Sequence, residues 1–162
     1  MDLTLQLRTM DRVLSHLVAD PPNEVFDAIV EAVMGHAARQ EMDEAVRLLE
    51  TAMEANPFWL RGYLLLGTIH QHQENLDKAS AVTENGLAAC IKSLRLFASQ
   101  EWLDTVERIN GPAAHERTSR SADRFSRYEY IFRHRLALLQ IGSGCFDDAI
   151  KQWAEIEDEH CA

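Results

Sequence analysis

The sequence predicts an all-α protein built from antiparallel helical hairpins, and three observations carry that prediction. Apolar residues recur at steps of three and four along most of the chain. The gaps between these runs are short, and several hold proline or glycine, as at Pro21-Pro22, Pro57, Gly111-Pro112 and Gly142 to Gly144. One local pattern also returns: Ala79, in LDKA, stands 34 residues after Ala45, in MDEA, a period that suits two helices per repeat.

Residues 2–19 place Leu3, Leu7, Met10, Leu14 and Leu17 on one stripe. Pro21-Pro22 ends this helix, because proline lacks the amide and disfavours helix in the residue before it. Asn23 caps the next helix, which runs to about Arg39 and buries Phe26, Ile29, Val33 and His36. Gln40-Glu41 is a short turn. The helix after it, about 42–55, buries Ala45, Leu48, Leu49, Ala52 and Met53. A turn this short forces the two helices antiparallel.

Pro57 closes that hairpin. A helix over about 58–73 follows, with Tyr63, Leu66, Gly67 and His70 inward. Gly67 costs about 1 kcal/mol in a helix interior, which points to close packing there. After Glu74-Asn75, the residues Ala79, Val82, Gly86, Cys90, Leu94 and Phe97 keep helical spacing to about Ser99. Trp102, Val106 and Ile109 mark a short helix, broken by Asn110-Gly111-Pro112. The polar stretch 112–119 is expected as an exposed loop. A long helix then begins near Ser119 or Ser121, with Phe125, Tyr128, Phe132, Leu136 and Leu139 buried. The last helix, about 146–158, is expected to bury Ala149, Ile150, Trp153 and Ile156.

These spacings resemble the tetratricopeptide repeat (TPR) family. Ala32 to Ala45, Leu66 to Ala79 and Leu136 to Ala149 each span 13 residues. Tyr63, Leu66, Gly67 and Ala79 are similar to the family's aromatic, leucine, glycine and alanine signature, and Ala45, Ala52 and Pro57 to its second-helix alanines and closing proline. Gly144, Phe146 and Ala149 resemble the same pattern at the other end. The resemblance implies a short right-handed solenoid with an N-terminal capping helix. One all-helical domain would then hold the N-terminal helix at 1–20, repeats at 23–56 and 58–92, a degenerate unit at 93–128 with an exposed loop near 110–119, and a divergent repeat at 129–159.

The resemblance also implies a partner-binding face on the first helix of each hairpin. Asp27, Val30, Met34, Ala37 and Ala38 would line it from the first, and Arg61, Leu64, Thr68, Gln71 and His72 from the second. Ile131, His134, Leu138 and Ile141 would follow from the third. Family members that clamp acidic chaperone tails use lysine and asparagine where this chain has Val30, Met34, Leu64 and Thr68, so that mode is not expected. An apolar anchor or amphipathic helix suits the face better, and the alternative is that the N-terminal helix fills it.

The remaining candidates are weaker. Arg117, Arg120, Arg124 and Arg127 align on one helix side and suit carboxylates or phosphates. A solvated face or internal pairing with the acidic helices is the favoured reading, ahead of an acidic protein partner. The net charge of −10 disfavours nucleic acid and anionic membranes. His70 and His72 are two apart, so they point apart on a helix, and His70 with Glu74 falls short of zinc's three or four ligands. Cys90 and Cys145 read as small core residues, and Cys161 as part of a frayed tail.

No catalytic motif, cofactor or metal is expected. No apolar run approaches the roughly 18 residues of a membrane span. The N-terminus lacks a signal peptide's basic start, so a cytoplasmic location is expected. The function expected is a non-catalytic adaptor or chaperone that holds a partner's peptide or helix, of the kind that serves secretion systems. The alternative is a structural subunit that self-associates.

Overall fold

A computed structural model describes the backbone of residues 2–18, 20 and 23–160, with side chains as far as 156. Among these residues there are eight α-helices and no strand: α1 (Leu3–Leu17), α2 (Glu24–Ala38), α3 (Met42–Ala55), α4 (Leu60–His72), α5 (Leu76–Phe97), α6 (Gln100–Asn110), α7 (Pro112–Gly142) and α8 (Phe146–His160). Pro21-Pro22, expected to end the first helix, lies outside the described residues, as does Cys161.

The hairpins α2–α3, α4–α5 and α7–α8 pack in sequence, with α3 against α4 and α5 against α7. Their three turns share one geometry. Glu41 N donates to His36 O at 2.9 Å and Gln40 N to Ala37 O at 3.0 Å. The same pair of bonds joins Asn75 N to His70 O and Glu74 N to Gln71 O, then Cys145 N to Gln140 O and Gly144 N to Ile141 O. In each, the residue that closes the first helix is left-handed: Gln40 at φ 61°, Glu74 at 59° and Gly144 at 79°. This arrangement satisfies the last carbonyls of the helix, and it reverses the chain in so few residues that the second helix must return along the first.

Local chemistry explains most boundaries. Asn23 Oδ1 accepts from the amides of Val25 and Phe26 at the start of α2, and Asp2 Oδ1 from Thr4 N at the start of α1. Helix α4 begins two residues later than expected. Trp59 is drawn inward and stacks on Phe26, with ring centroids 4.7 Å apart, and this leaves Phe58 outside.

The stretch 112–119, expected as an exposed loop, is instead the first part of α7. Gly111, at φ 82°, makes the reversal alone, and Pro112 sits in the first turn, where its missing amide costs nothing. Polar composition reflects the exposure of this helical segment, which is held to α6 by His115 Nδ1 and Glu107 Oε2 at 2.9 Å.

Two cores form. The first joins Leu3 and Leu7 of α1 to Val30, Val33, Met34 and Leu49; the second joins Leu14 and Val18 to Leu64, Cys90, Tyr128 and Phe132. Helix α1 therefore contributes to both, lying against α2 and α4. Several side chains expected inside are exposed. Ile150 and Trp153 are 61% and 37% exposed, because α8 packs on α7 and both side chains lie away from that contact. Leu17 lies at the open end of α1, and Cys145 follows the left-handed turn residue, so both face outward. Ala32 is exposed despite its 13-residue spacing to Ala45, and it lines a shallow surface depression with Ile29 and Leu48. Helix α6 buries none of its side chains fully, and Trp102 and Ile109 are exposed.

Candidate functional site

A depression of about 820 Å³ lies between α1, α4 and α7. Helix α1 presents Leu5, Thr9, Val13 and Leu17 along it. Successive members are four residues apart, so they occupy one face. Leu64, Thr68 and Gln71 of α4 and Ile131 and Arg135 of α7 supply the remaining walls. A second depression of about 490 Å³, lined by His16, Ser126, Arg127 and Tyr130, shares Leu17 and Ile131 with it. The two adjoin at these residues.

Helix α1 is held in place by charge as well as by its two cores. Arg61 Nε donates to Asp11 Oδ1 at 2.6 Å, and its Nη1 reaches Asp27 Oδ1 at 3.3 Å. Beyond the helix end, Asp20 accepts from the Tyr128 hydroxyl and pairs with Arg124 at 3.5 Å. Arg127 Nη1 donates to Leu17 O at 2.9 Å. Burial and the facing Asp20 carboxylate raise the Tyr128 phenol well above its ordinary pKa, so it stays a donor.

The expected partner face is therefore largely occupied. Val30, Met34 and Ala37 are buried in the core that they share with Leu3 and Leu7. Leu64 and Thr68 are buried too, and Thr68 Oγ1 is held between Leu64 O at 2.8 Å and Met10 Sδ at 3.1 Å. Arg61 is committed to α1 and α2. Gln71 and His72 remain exposed at the groove edge. From the third hairpin, Ile131 lines the groove, while Leu138 is exposed and His134 stacks on Tyr130. The N-terminal helix takes the place expected for a ligand, and its outer face forms a new wall.

The arginine row divides in the same way. Arg124 and Arg127 hold the end of α1, Arg120 pairs with Glu116 on its own helix, and Arg117 is exposed. Arg133 is buried between Glu129, at 2.7 Å, and Glu155.

Leu5, Val13 and Arg135 were not expected at a site. Leu5 and Val13 lie off the Leu3, Leu7, Leu14 stripe, so apolar residues wrap more of α1 than one buried face needs. Arg135 follows Phe132 by three and precedes Leu139 by four, which sets an arginine on the apolar side of α7. Both signals are in the sequence.

His70 is buried with Nδ1 unbonded, whereas His72 faces out. No group of three or more His, Cys, Asp or Glu residues placed for a metal occurs among the described residues. No helix among them is long and apolar enough to cross a membrane. Compared with protein families, with curated proteins and with solved structures, the chain matches none.

Proposed function

We propose that this chain is a non-catalytic protein-interaction module, a cytoplasmic adaptor or chaperone of the tetratricopeptide type, that holds an amphipathic helix of a partner protein in the groove between α1, α4 and α7. The observation that carries the proposal is the row of exposed apolar side chains along α1. Leu5, Val13 and Leu17 are 56%, 46% and 52% exposed, and they line one depression together with Leu64 and Ile131. A contiguous apolar surface of this kind marks an interaction site more often than solitary exposed leucines do. Support for the repeat type comes from the three identical hairpin turns, whose left-handed residues fall at 40, 74 and 144. The first interval is one period of 34 and the second is two periods plus two.

Substituting Leu5 and Leu17 with glutamate should leave the melting temperature within about 2 °C, because surface changes away from packed features cost little. It should abolish capture of the native partner, read by affinity isolation and mass spectrometry. Partner capture that survives both substitutions removes the groove from consideration.

A second proposal, a subunit that self-associates, draws on α8. Phe146, Ile150 and Trp153 recur at four and three residues and are all exposed. Light scattering across a concentration series, with Ile150→Glu as the control, separates the two: a dimer abolished by Ile150→Glu supports the subunit, and a monomer at all concentrations rejects it.

A further inference from the structure

Of the arginines that are not exposed, Arg61, Arg124 and Arg133 each pair with a carboxylate. Arg135 has none among the described residues. Of a guanidinium's five N–H donors, Nη1 reaches Met10 Sδ at 3.7 Å and Nη2 reaches Gln71 Oε1 at 3.2 Å. Nε is buried with no acceptor. A thioether is a weak acceptor and an amide oxygen a neutral one, so the charge is uncompensated. Burying an unpaired charge is costly. Desolvation pulls the Arg135 pKa down to about 10, which leaves it charged at neutral pH. The side chain lies against Gly67, where a Cβ would stand 3.5 Å from Nε, and it faces the groove as one of its lining residues.

We propose that Arg135 is the receptor for one side-chain carboxylate on the partner helix, so that the groove selects an acidic residue set between two apolar anchors. This inference rests on the groove proposed above. Charge complementarity argues for the occupant: a lone planar fork matches one carboxylate in bidentate fashion. A phosphate dianion would bring two charges to a single guanidinium, beside Glu74 on the rim and in a chain of net charge −10. Geometry sets the pattern. Leu5 to Leu17 spans twelve residues, roughly 18 Å or three helical turns, and Arg135 bonds to Met10 in the middle of that span. The partner helix should therefore carry Asp or Glu with apolar residues one to two turns away, four or seven positions to either side, on the same face.

The test uses the full chain and a displayed library of 18-residue helices, randomised on one face, selected on the native protein and on Arg135→Met. The native protein should enrich a central Asp or Glu between apolar residues. In synthetic copies of enriched peptides, changing that residue to Gln should weaken binding about tenfold to the native protein and leave binding to Arg135→Met unchanged. Arg135→Met should also melt at a higher temperature than the native protein, because it removes an unpaired buried charge at similar volume. Enriched peptides that lack an acidic residue, or a Gln effect of equal size on both proteins, overturn the carboxylate receptor while the groove stands. A lower melting temperature for Arg135→Met assigns the guanidinium to the fold and also overturns it. If no peptide is enriched, or if enriched peptides still bind Leu17→Glu, the groove itself fails and the receptor with it.

Discussion

Phe132 of α7 lies in a notch that Gly86 of α5 leaves open. A Cβ on residue 86 would stand 2.6 Å from Phe132 Cζ and 2.9 Å from Tyr63 Cβ. Phe132 is fully buried, so its ring has nowhere to swing. Gly86→Ala should therefore destabilise by about 2 kcal/mol, the overpacking cost less the gain in helix propensity, and lower Tm by about 5 °C. Gly67, the glycine that the sequence pattern singles out, is the contrast. Its Cβ would meet Thr83 Oγ1 at 3.4 Å, an ordinary contact, so Gly67→Ala should be neutral or stabilise by up to about 1 kcal/mol. Thermal melts of the two variants check the difference in sign.

Glu129 and Arg133 form an ion pair one turn apart on α7, and both are buried. Removing the cation strands a carboxylate in the core. Arg133→Met should cost about 3–5 kcal/mol, whereas Glu129→Leu with Arg133→Met should recover most of that loss. Denaturant titration of the single and double variants measures the coupling. A double variant no better than the single would mean that the pair does not act as a unit.

Cys90 Sγ donates to Phe125 O at 3.1 Å inside the second core, and burial pushes its thiol up to about 12. The thiolate is the reactive form, so at pH 8 iodoacetamide should modify Cys145, which is exposed, and spare Cys90. Peptide mapping reads this directly. The sign for stability follows. A thiol whose folded pKa is raised contributes stability that is fully present below its ordinary value near 9 and is lost as pH climbs toward 12. Cys90→Ala should remove that part of the alkaline loss.

The hairpins were legible in the sequence because their cause is local. Met42 to Ala55 emerges with the expected bounds, since a turn at Gln40-Glu41 and the break before Pro57 frame one apolar stripe. Gly111-Pro112 misled for an equally local reason. The pair reads as a break, yet glycine supplies the whole reversal, and proline is as acceptable in a helix's first turn as in a loop. The groove was less legible because its form depends on where α1 lies. Periodicity shows that α1 is amphipathic but not which helices receive it. Once α1 covers Val30, Met34 and Ala37, the exposed wall passes to Leu5, Val13 and Leu17. Arg135 could have been noticed as an arginine on an apolar stripe, but its lack of a counter-charge is a property of three helices meeting.

Helix α1 could in principle be a lid that lifts to open the face beneath it, and its side chains decide against that. Leu7 is fully buried in the first core and Leu14 nearly so in the second. Lifting α1 would expose both along with Leu3 and Val18, at about 1.5–3 kcal/mol each, and would break the Arg61 pair with Asp11. Leu7→Ala and Leu14→Ala should each destabilise global unfolding by about 2–5 kcal/mol. Because they lie in different cores, their effects should add to within about 0.5 kcal/mol. Leu17→Ala, on the exposed end, should change stability by less than about 0.5 kcal/mol. Hydrogen exchange supplies the decisive comparison. Amides of α1 should exchange with the same free energy as those of α4 and α7, as one cooperative unit does. Amides of α1 that exchange several kcal/mol more easily than those of α4 would mark a detachable lid and return the covered face to use.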